Sequence, residues 1–481
     1  MVIGNGTEDS TQSISRLLLV LAAPLIVQNL IHVVNLLVDT FWLGRLSEDA
    51  VAAVGLTIPL ISVVAAGITL VAVGTQISLA QRVGAEHYEA ATHLAITGIL
   101  TAALIGLSIA VVGILSAERV IGVLTSDPTV QRLSILYLVT LLTFYPLAFV
   151  SDTIENAFIG WGATRIALYI NGGMVMTNIV LDPILIFGLG PVPAFGVQGA
   201  ALATGIGITF GLVVGVLFAY RSRTVLPFND ASLSFDPGYA REILTVGAPL
   251  SGQRLTGDSV RVLMMGFVSL TGGAAGIAAY TIGERVATLA IVPARGLQQA
   301  AQTMVAQYIG ASKPNEAYRT TLVGVLFGTI GLALLGLFQW LYAGLIVDIF
   351  VPNLTIEGRE LSITFLRILA LSYWAIGGTY LLLAGFNGVK RTRTSFVIDV
   401  LKYWGIRFPI ALIAIPGIAS FSILGFTLTF GWGLGIEAIF WAVTISNLLA
   451  FFGAIGYFVY TYQRGMFRQS VRTATASLGD G

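Results

Sequence analysis

The sequence predicts an all-α integral membrane protein with twelve transmembrane helices in two six-helix lobes, related by a pseudo-two-fold axis along the membrane normal. Three observations support this fold class: the apolar composition, a series of long uncharged segments and an internal repeat. Of the 481 residues 56% are hydrophobic and only 10% are charged, whereas soluble domains carry about 25% charged residues. This composition excludes a soluble enzyme and a nucleic-acid-binding protein. The absence of cysteine excludes disulfides, thiolate metal sites and a cysteine nucleophile.

Long uncharged segments predict the individual helices. A helix needs about 20 mainly apolar residues to cross the hydrocarbon core, and the segments 17–38, 183–220 and 438–463 all exceed that length. When a few buried charges are allowed, the predicted spans are 15–43, 51–82, 94–116, 133–160, 165–188, 196–220, 240–270, 274–309, 318–346, 360–388, 394–415 and 437–463. The alternating ten-residue segments of a membrane β-barrel are absent, so we expect helices.

The basic residues predict the orientation. Four arginines fall in predicted outer loops: Arg45, Arg119, Arg132 and Arg359. Fourteen basic residues fall on the other side: Arg16, Arg82, Arg165, Arg221, Arg223, Arg241, Lys313, Arg319, Lys390, Arg391, Arg393, Arg464, Arg468 and Arg472. Cytoplasmic loops carry the excess of Lys and Arg. We therefore expect a multi-pass protein of the plasma membrane with both termini in the cytoplasm.

An internal repeat predicts the two lobes. The segments 23–25, 80–85, 158–165 and 196–200 recur in the same order at 248–250, 306–311, 386–393 and 435–439. Because each repeat holds six helices, both insert in the same orientation, which is the parallel-repeat arrangement of rocking transporters. The predicted domains are an N-lobe over 1–225, a polar cytoplasmic linker over 226–238 and a C-lobe over 239–481. Two lobes around a central cleft favour transport by alternating access.

Placing an ionisable residue inside a membrane span costs free energy, so its presence there indicates a structural or functional role. The first-half spans contain Asp39, Asp152, Glu155 and Asp182 and no Arg or Lys, whereas basic residues outnumber acidic ones in the second-half spans. Buried carboxylates without a basic partner take up protons or hold cations, so we expect the coupling ion in the N-lobe. Asp152 and Glu155 lie near the inner end of the fourth span, where we expect them to be solvated.

Four acidic and polar side chains are expected to meet in the outer half of the N-lobe. Asp39 follows Arg16 by 23 residues and Asp182 follows Arg165 by 17, both on outward-running helices. Asn178 is four residues before Asp182 and therefore shares its helix face. Thr204 follows on the returning helix. Carboxylate, amide and hydroxyl oxygens suit a hard cation. In the C-lobe, the stripe of Arg254, Asp258 and Arg261 predicts an ion-pair ladder.

Two motifs resemble the multidrug and toxic compound extrusion (MATE) transporters. The first-helix signature comprises Pro24, the segment 35–44 (NLLVDTFWLG) and the segment 52–55 (AAVG). The segments 178–188 (NIVLDPILIFG) and 196–204 (GVQGAALAT) resemble the fifth and sixth helices of the DinF-like branch. The resemblance implies a coupling site of Asp39, Asn178, Asp182, Thr204 and the Ala200 carbonyl, with Asn156 as a weaker match. Asn35 stands where the family commonly has an aromatic residue. The span 360–388 lacks the acidic residue of the NorM-like branch, which argues against a C-lobe cation site.

The resemblance implies a secondary active antiporter, not an enzyme, that exports cationic amphiphilic compounds in exchange for H⁺ or Na⁺. No cofactor is expected besides that ion, and the expected partners are drug substrates and the lipid bilayer, for a monomeric protein. The alternative is a lipid-linked oligosaccharide flippase of the same superfamily, which needs a basic cavity. A membrane-embedded transferase would need a catalytic cluster at one membrane face, and a channel would not need the paired acids.

The topology can be tested with cysteines introduced into this cysteine-free chain. Cysteines at Asp236 and Lys313 should react only from the cytoplasmic side, and cysteines at Asp127 and Glu357 only from outside. The measurement is labelling with a membrane-impermeant maleimide in intact cells and in inverted vesicles. Labelling with the opposite sidedness would contradict the twelve-helix assignment.

Overall fold

The computed structural model describes residues 11–222, 234–351, 354–423 and 426–479. Most of the predicted linker 226–238 lies outside the described residues. On the C-terminal side of that gap, the Asp236 side chain accepts hydrogen bonds from the Gly238 and Tyr239 amides at 2.6 and 3.2 Å and so caps the following helix. The lobe boundaries at 225 and 239 remain a prediction.

The N-terminal half consists of six long helices. They are α1 (Thr11–Leu46), α2 (Glu48–Gly84), α3 (Tyr88–Leu124), α4 (Pro128–Trp161), α5 (Thr164–Phe187) and α6 (Val197–Arg221). Each is long and apolar enough to cross a membrane on its own. The six predicted first-half spans are confirmed, and α1 continues unbroken through Pro24.

The C-terminal half repeats this plan with more interruptions. Its helices are α7 (Pro237–Gly310), α8 (Pro314–Leu341), α9 (Ala343–Phe350), α10 (Ile356–Ala370), α11 (Tyr373–Gly388), α12 (Thr392–Val400), α13 (Phe408–Ala414), α14 (Ile436–Gln463) and α15 (Met466–Gly479). A π-helical segment, Leu401–Arg407, joins α12 to α13. Over the described residues these elements and the first six account for all twelve predicted spans.

Four spans of the C-terminal half differ from simple helices. Spans 240–270 and 274–309 form the two arms of α7, whose 74 residues would measure about 110 Å if straight. The arms meet at Gly273, whose φ of 51° and ψ of −146° are conformations that glycine adopts readily. The span 360–388 is α10 and α11, bent by 46°. The eleventh span contains the π-helical segment.

The outer loop predicted near 416–434 contains a strand pair. Strands β1 (Pro416–Ile423) and β2 (Phe426–Trp432) pair antiparallel. Apart from this strand pair, the regular secondary structure of the described residues is helical.

Reciprocal glutamine bonds confirm the internal repeat. The Gln81 amide donates to the Gly388 carbonyl at 3.1 Å, and the Gln307 amide donates to the Gly160 carbonyl at 2.9 Å. The sequence repeat equates Gln81 with Gln307 and Gly160 with Gly388. The contact that the first half makes with the second is therefore the same as the contact that the second half makes with the first. This is the relation that a two-fold axis requires.

Two glycines allow the backbones of the two repeats to approach closely beside these glutamine contacts. A Cβ on Gly310 would overlap the Gln81 carbonyl oxygen, and one on Gly84 would overlap the Gln307 carbonyl oxygen. The C-terminal ends of α2 and α7 thus pack backbone against backbone. We call this contact the closed end.

Buried side chains form separate cores in the two halves and a shared core near the closed end. One core contains Phe149, Phe158 and their neighbours in the N-terminal half, and another contains Tyr280, Phe365 and Phe440 in the C-terminal half. A third joins residues of α1 to Met304, Tyr308 and Phe386. The halves are therefore held together mainly where their repeats meet.

Substituting Gly84 by alanine should destabilise this closed arrangement. Overpacking a well-packed site costs about 1–3 kcal/mol, and here the obstacle is backbone rather than a flexible side chain. We expect a lower thermal midpoint for Gly84→Ala in detergent, and the same for Gly310→Ala. Gly453→Ala is the matched control, since a Cβ there meets nothing within 4 Å. Equal midpoints for Gly84→Ala and Gly453→Ala would contradict the tight contact.

Candidate functional site

Helices α1, α5 and α6 bring the predicted coupling residues together. Asn178 donates to Asp182 at 3.3 Å and to the Thr204 hydroxyl at 3.2 Å. Asn178 and Asp182 are buried, with 2% and 1% of their surfaces exposed. The carboxyl groups of Asp39 and Asp182 lie close enough to interact electrostatically. We call Asp39, Asn178, Asp182 and Thr204 the outer layer.

The contact between the two carboxyl groups has a chemical consequence. Ionised carboxylates only accept hydrogen bonds, so a bond between them requires one proton. Without that proton, or another cation between them, the two charges repel at close range in a medium of low dielectric constant. The arrangement is therefore complete only when it holds a positive charge.

Unpaired oxygens surround this pair. Asp39 Oδ1, Asp182 Oδ2, Asn178 Oδ1 and Asn35 Oδ1 are buried atoms without a hydrogen-bond partner. Buried polar atoms are normally satisfied. All the unpaired atoms that could bind a ligand here are oxygens, which suits a proton or a hard cation. Among the described residues no group of three or more His, Cys, Asp or Glu side chains could hold a metal ion.

The remaining candidate residues occupy different places. Asn35 donates to Asp39 at 3.3 Å, one helical turn away. The Ala200 carbonyl accepts the Thr204 hydroxyl at 3.1 Å, so it supports the layer through Thr204. Asn156 donates to the Asp152 carbonyl at 2.8 Å, within its own helix. Pro24 is buried in α1, fifteen positions before Asp39.

A polar cleft of about 660 Å³ lies between the two halves. Gln76 and Gln302, which the repeat equates, line it near the closed end. Its wall on the C-terminal half is basic and carries Arg254, Arg261, Arg295 and Lys402, against the acidic Asp258 and Asp399. Charge is therefore divided between the halves.

The comparisons with known proteins agree with this geometry. The family model MatE matches residues 24–184 and 249–413, one match in each half. The chain belongs to the MatE family. The two matches begin at Pro24 and Pro249, which the sequence repeat also equates. MATE transporters have twelve helices in two lobes, as seen here.

Individual relatives cover nearly the whole chain. The multidrug resistance protein NorM of Burkholderia vietnamiensis is 26% identical over 433 residues, 88% of this chain and 89% of its own. The FAD transporter of Shewanella oneidensis is 23% identical over 405 residues, 83% of this chain and 87% of its own. The solved structure of a MOP superfamily transporter from Pyrococcus furiosus has a TM-score of 0.83 at 21% identity and covers 98% of this chain and 100% of that one. The similarity between that structure and this protein is a similarity of fold.

The expectation of solvated residues on α4 is wrong for Glu155. This side chain is 6% exposed and accepts a hydrogen bond of 2.6 Å from Gln28 on α1. Asp152 is partly buried and lies within electrostatic reach of Arg254, so it has a basic neighbour from the other half. Sequence reasoning missed both contacts because the partners come from other helices.

The predicted ion-pair ladder on α7 is confirmed and extended. Asp258 lies 4.0 Å from Arg254 and 3.6 Å from Arg261, and Arg261 also pairs with Glu284 at 3.2 Å. Arg295, exposed in the cleft, has no ion pair among the residues that the structure describes.

An ion triad joins the halves at the closed end. Glu242 at the start of α7 binds Arg82 of α2 through two hydrogen bonds of 3.0 and 2.9 Å. It also accepts from Lys390, just after α11, at 2.8 Å. The triad adds an electrostatic contact to the glutamine bonds of the same region.

Proposed function

We propose that this protein is an ion-coupled multidrug exporter of the plasma membrane that works by alternating access. The observation that carries the proposal is the outer layer, where Asp39 and Asp182 need a positive charge between them. A proton or Na⁺ supplies that charge and is exchanged for the cargo. The multidrug resistance relative supports export, and the outer layer supports the coupling.

The position of the closed end supports an outward-facing state of the transport cycle. By the positive-inside rule, the end that carries Arg82, Lys390 and Arg391 faces the cytoplasm. The cleft then lies on the outer side of the Gln81 and Gln307 contacts, so the structure corresponds to an outward-facing state. Binding of the coupling ion at the outer layer would favour return to the inward-facing state by removing repulsion between α1 and α5.

The cargo class has two candidates. The acidic N-terminal half supports the cationic amphiphile that the sequence predicts. The basic wall with Arg254, Arg295 and Lys402 favours a second candidate, an amphiphile with a carboxylate or phosphate group, which includes lipid-linked pyrophosphates. The relative in Shewanella oneidensis is an FAD transporter, and the Pyrococcus furiosus structure is described as having a binding pocket of reverse polarity that suggests a different function.

Neutralising the outer-layer carboxyls should abolish coupled export. Asp39→Asn and Asp182→Asn keep side-chain volume nearly constant, so folding should survive while efflux falls to the level of empty vesicles. The measurement is dye efflux from proteoliposomes with matched amounts of folded protein, under an imposed proton gradient or an imposed sodium gradient. The gradient that drives export in the wild type identifies the coupling ion.

Asp49→Asn is the matched control, because Asp49 is exposed at the outer end of α2. It should transport like the wild type. Coupled efflux near the wild-type rate in both outer-layer variants would refute the mechanism. Loss in only one variant would assign coupling to that carboxyl group alone.

Substituting Arg295 should distinguish between the two candidate classes of cargo. A hydrogen bond to a charged group contributes about 1.5–3 kcal/mol, so Arg295→Gln should weaken the apparent affinity for an anionic cargo such as FAD about tenfold or more. Ethidium export should be unchanged or improved, since a cation is repelled by Arg295. The measurement is competition for transport in proteoliposomes, with Arg285→Gln, exposed on the same arm of α7, as control. Ethidium export without any FAD competition in the wild type would exclude the second candidate.

A further inference from the structure

A second polar cluster lies in the N-terminal half, separate from the outer layer. It consists of Gln28 on α1, Asp152 and Glu155 on α4, and Asn171 on α5, and we call it the inner layer. Gln28 donates to Glu155 at 2.6 Å, and the Asn171 side chain lies close enough to Glu155 to interact with it electrostatically. Asp152 precedes Glu155 by three positions and shares its helix face. Three helices therefore converge on one buried carboxyl group.

The inner layer repeats the outer layer at a fixed distance. Gln28 precedes Asp39 by 11 residues on α1, and Asn171 precedes Asp182 by 11 residues on α5. Eleven residues make slightly more than three full helical turns and a rise of about 16 Å. The same faces of the same two helices thus carry both layers, and α4 adds the acids of the inner one.

Unpaired amide oxygens point to a ligand in the inner layer. Gln28 and Asn171 are each only 8% exposed, and Gln28 Oε1 and Asn171 Oδ1 have no hydrogen-bond partner. Gln28 donates to Glu155 through its nitrogen, and Asn171 lies close to the same carboxyl group, so the two free amide oxygens lie near that group. A proton needs a single acceptor, whereas several converging oxygens are the surroundings of a metal cation.

The local charge suits a monovalent cation. Arg254 is within electrostatic reach of Asp152 and also pairs with Asp258 at 4.0 Å, so its charge is shared. Tyr145 and Glu155 are also within electrostatic reach of Asp152. The hydrogen-bond donor to Glu155 among the described residues is the neutral amide of Gln28, so the ionised carboxylate would have no basic partner there. A cation with one positive charge balances it, and a divalent ion would leave an excess.

We propose that the inner layer is a second cation site, which binds Na⁺ through the Glu155 and Asp152 carboxylates and the amide oxygens of Gln28 and Asn171. Glu155 lies five residues before Gly160, whose carbonyl forms part of the closed end. The site therefore lies between the outer layer and the end that is closed. An ion that leaves the outer layer toward that end passes it.

Equilibrium binding of radioactive Na⁺ to the purified full chain in nanodiscs tests the proposal. Measurements at alkaline pH, with choline chloride holding the ionic strength constant, keep proton competition low. The wild type should bind one more Na⁺ per chain than Glu155→Gln. Asp182→Asn, which disables the proposed coupling site, should keep this ion, so the two proposals can fail separately. Glu118→Gln, exposed at the end of α3, is the matched control.

Folding of each variant is checked by its elution as a single species. If Glu155→Gln does not fold, Gln28→Leu keeps both carboxylates and should weaken Na⁺ binding at this site roughly tenfold. Equal Na⁺ binding in the wild type and in a folded Glu155→Gln or Gln28→Leu variant overturns the proposal. Loss of all Na⁺ binding in Asp182→Asn places the ion in the outer layer alone and overturns it as well.

Discussion

The backbone contact between the ends of α2 and α7 is the constraint on which the rest of the arrangement depends. Gly84 and Gly310 leave room for the carbonyl oxygens of Gln307 and Gln81, and the two glutamine side chains bond across to Gly160 and Gly388. Because these contacts are reciprocal, they fix the two-fold relation of the halves and close one end. The cleft is the space that this closure leaves between the halves on the other side.

The low dielectric constant of the membrane explains how charge is distributed around that cleft. In the C-terminal half Arg261 is paired with Asp258 and Glu284, whereas Arg295 has no ion pair among the described residues and Arg407 is bonded to the neutral Ser446 and Asn447. In the N-terminal half Asp39, Asp182 and Glu155 have amide donors instead of basic partners. Amides orient a carboxyl group without neutralising it, so these carboxyl groups lack the compensating positive charge that Asp258 receives from Arg254 and Arg261.

The sequence was sufficient for features set by one helix or by repetition, and insufficient for those set by packing. Hydropathy located the spans, and the spacing of Asn178 and Asp182 predicted their shared face. The burial of Glu155 was not predictable, because Gln28 is 127 residues away in the chain. The boundary between spans 240–270 and 274–309 was predicted, but its form was not, because one glycine in an apolar run does not reveal that Gly273 joins two helices without a loop. The strand pair at 416–432 lies in a segment whose residues also fit a loop.

Helix α1 links the two polar layers to the opposite half. It carries Asp39 and Gln28, and Ile26 packs directly against Gly296 on the second arm of α7, where a Cβ would overlap it. A change in the tilt of α1 therefore alters both layers and an inter-half contact together. Pro24, two residues before Ile26, lacks an amide hydrogen and leaves the Val20 carbonyl without its helical partner, which lowers the cost of bending there. A change in the tilt of α1 thus has a direct route to a contact between the halves, because Ile26 and Asp39 belong to the same continuous helix.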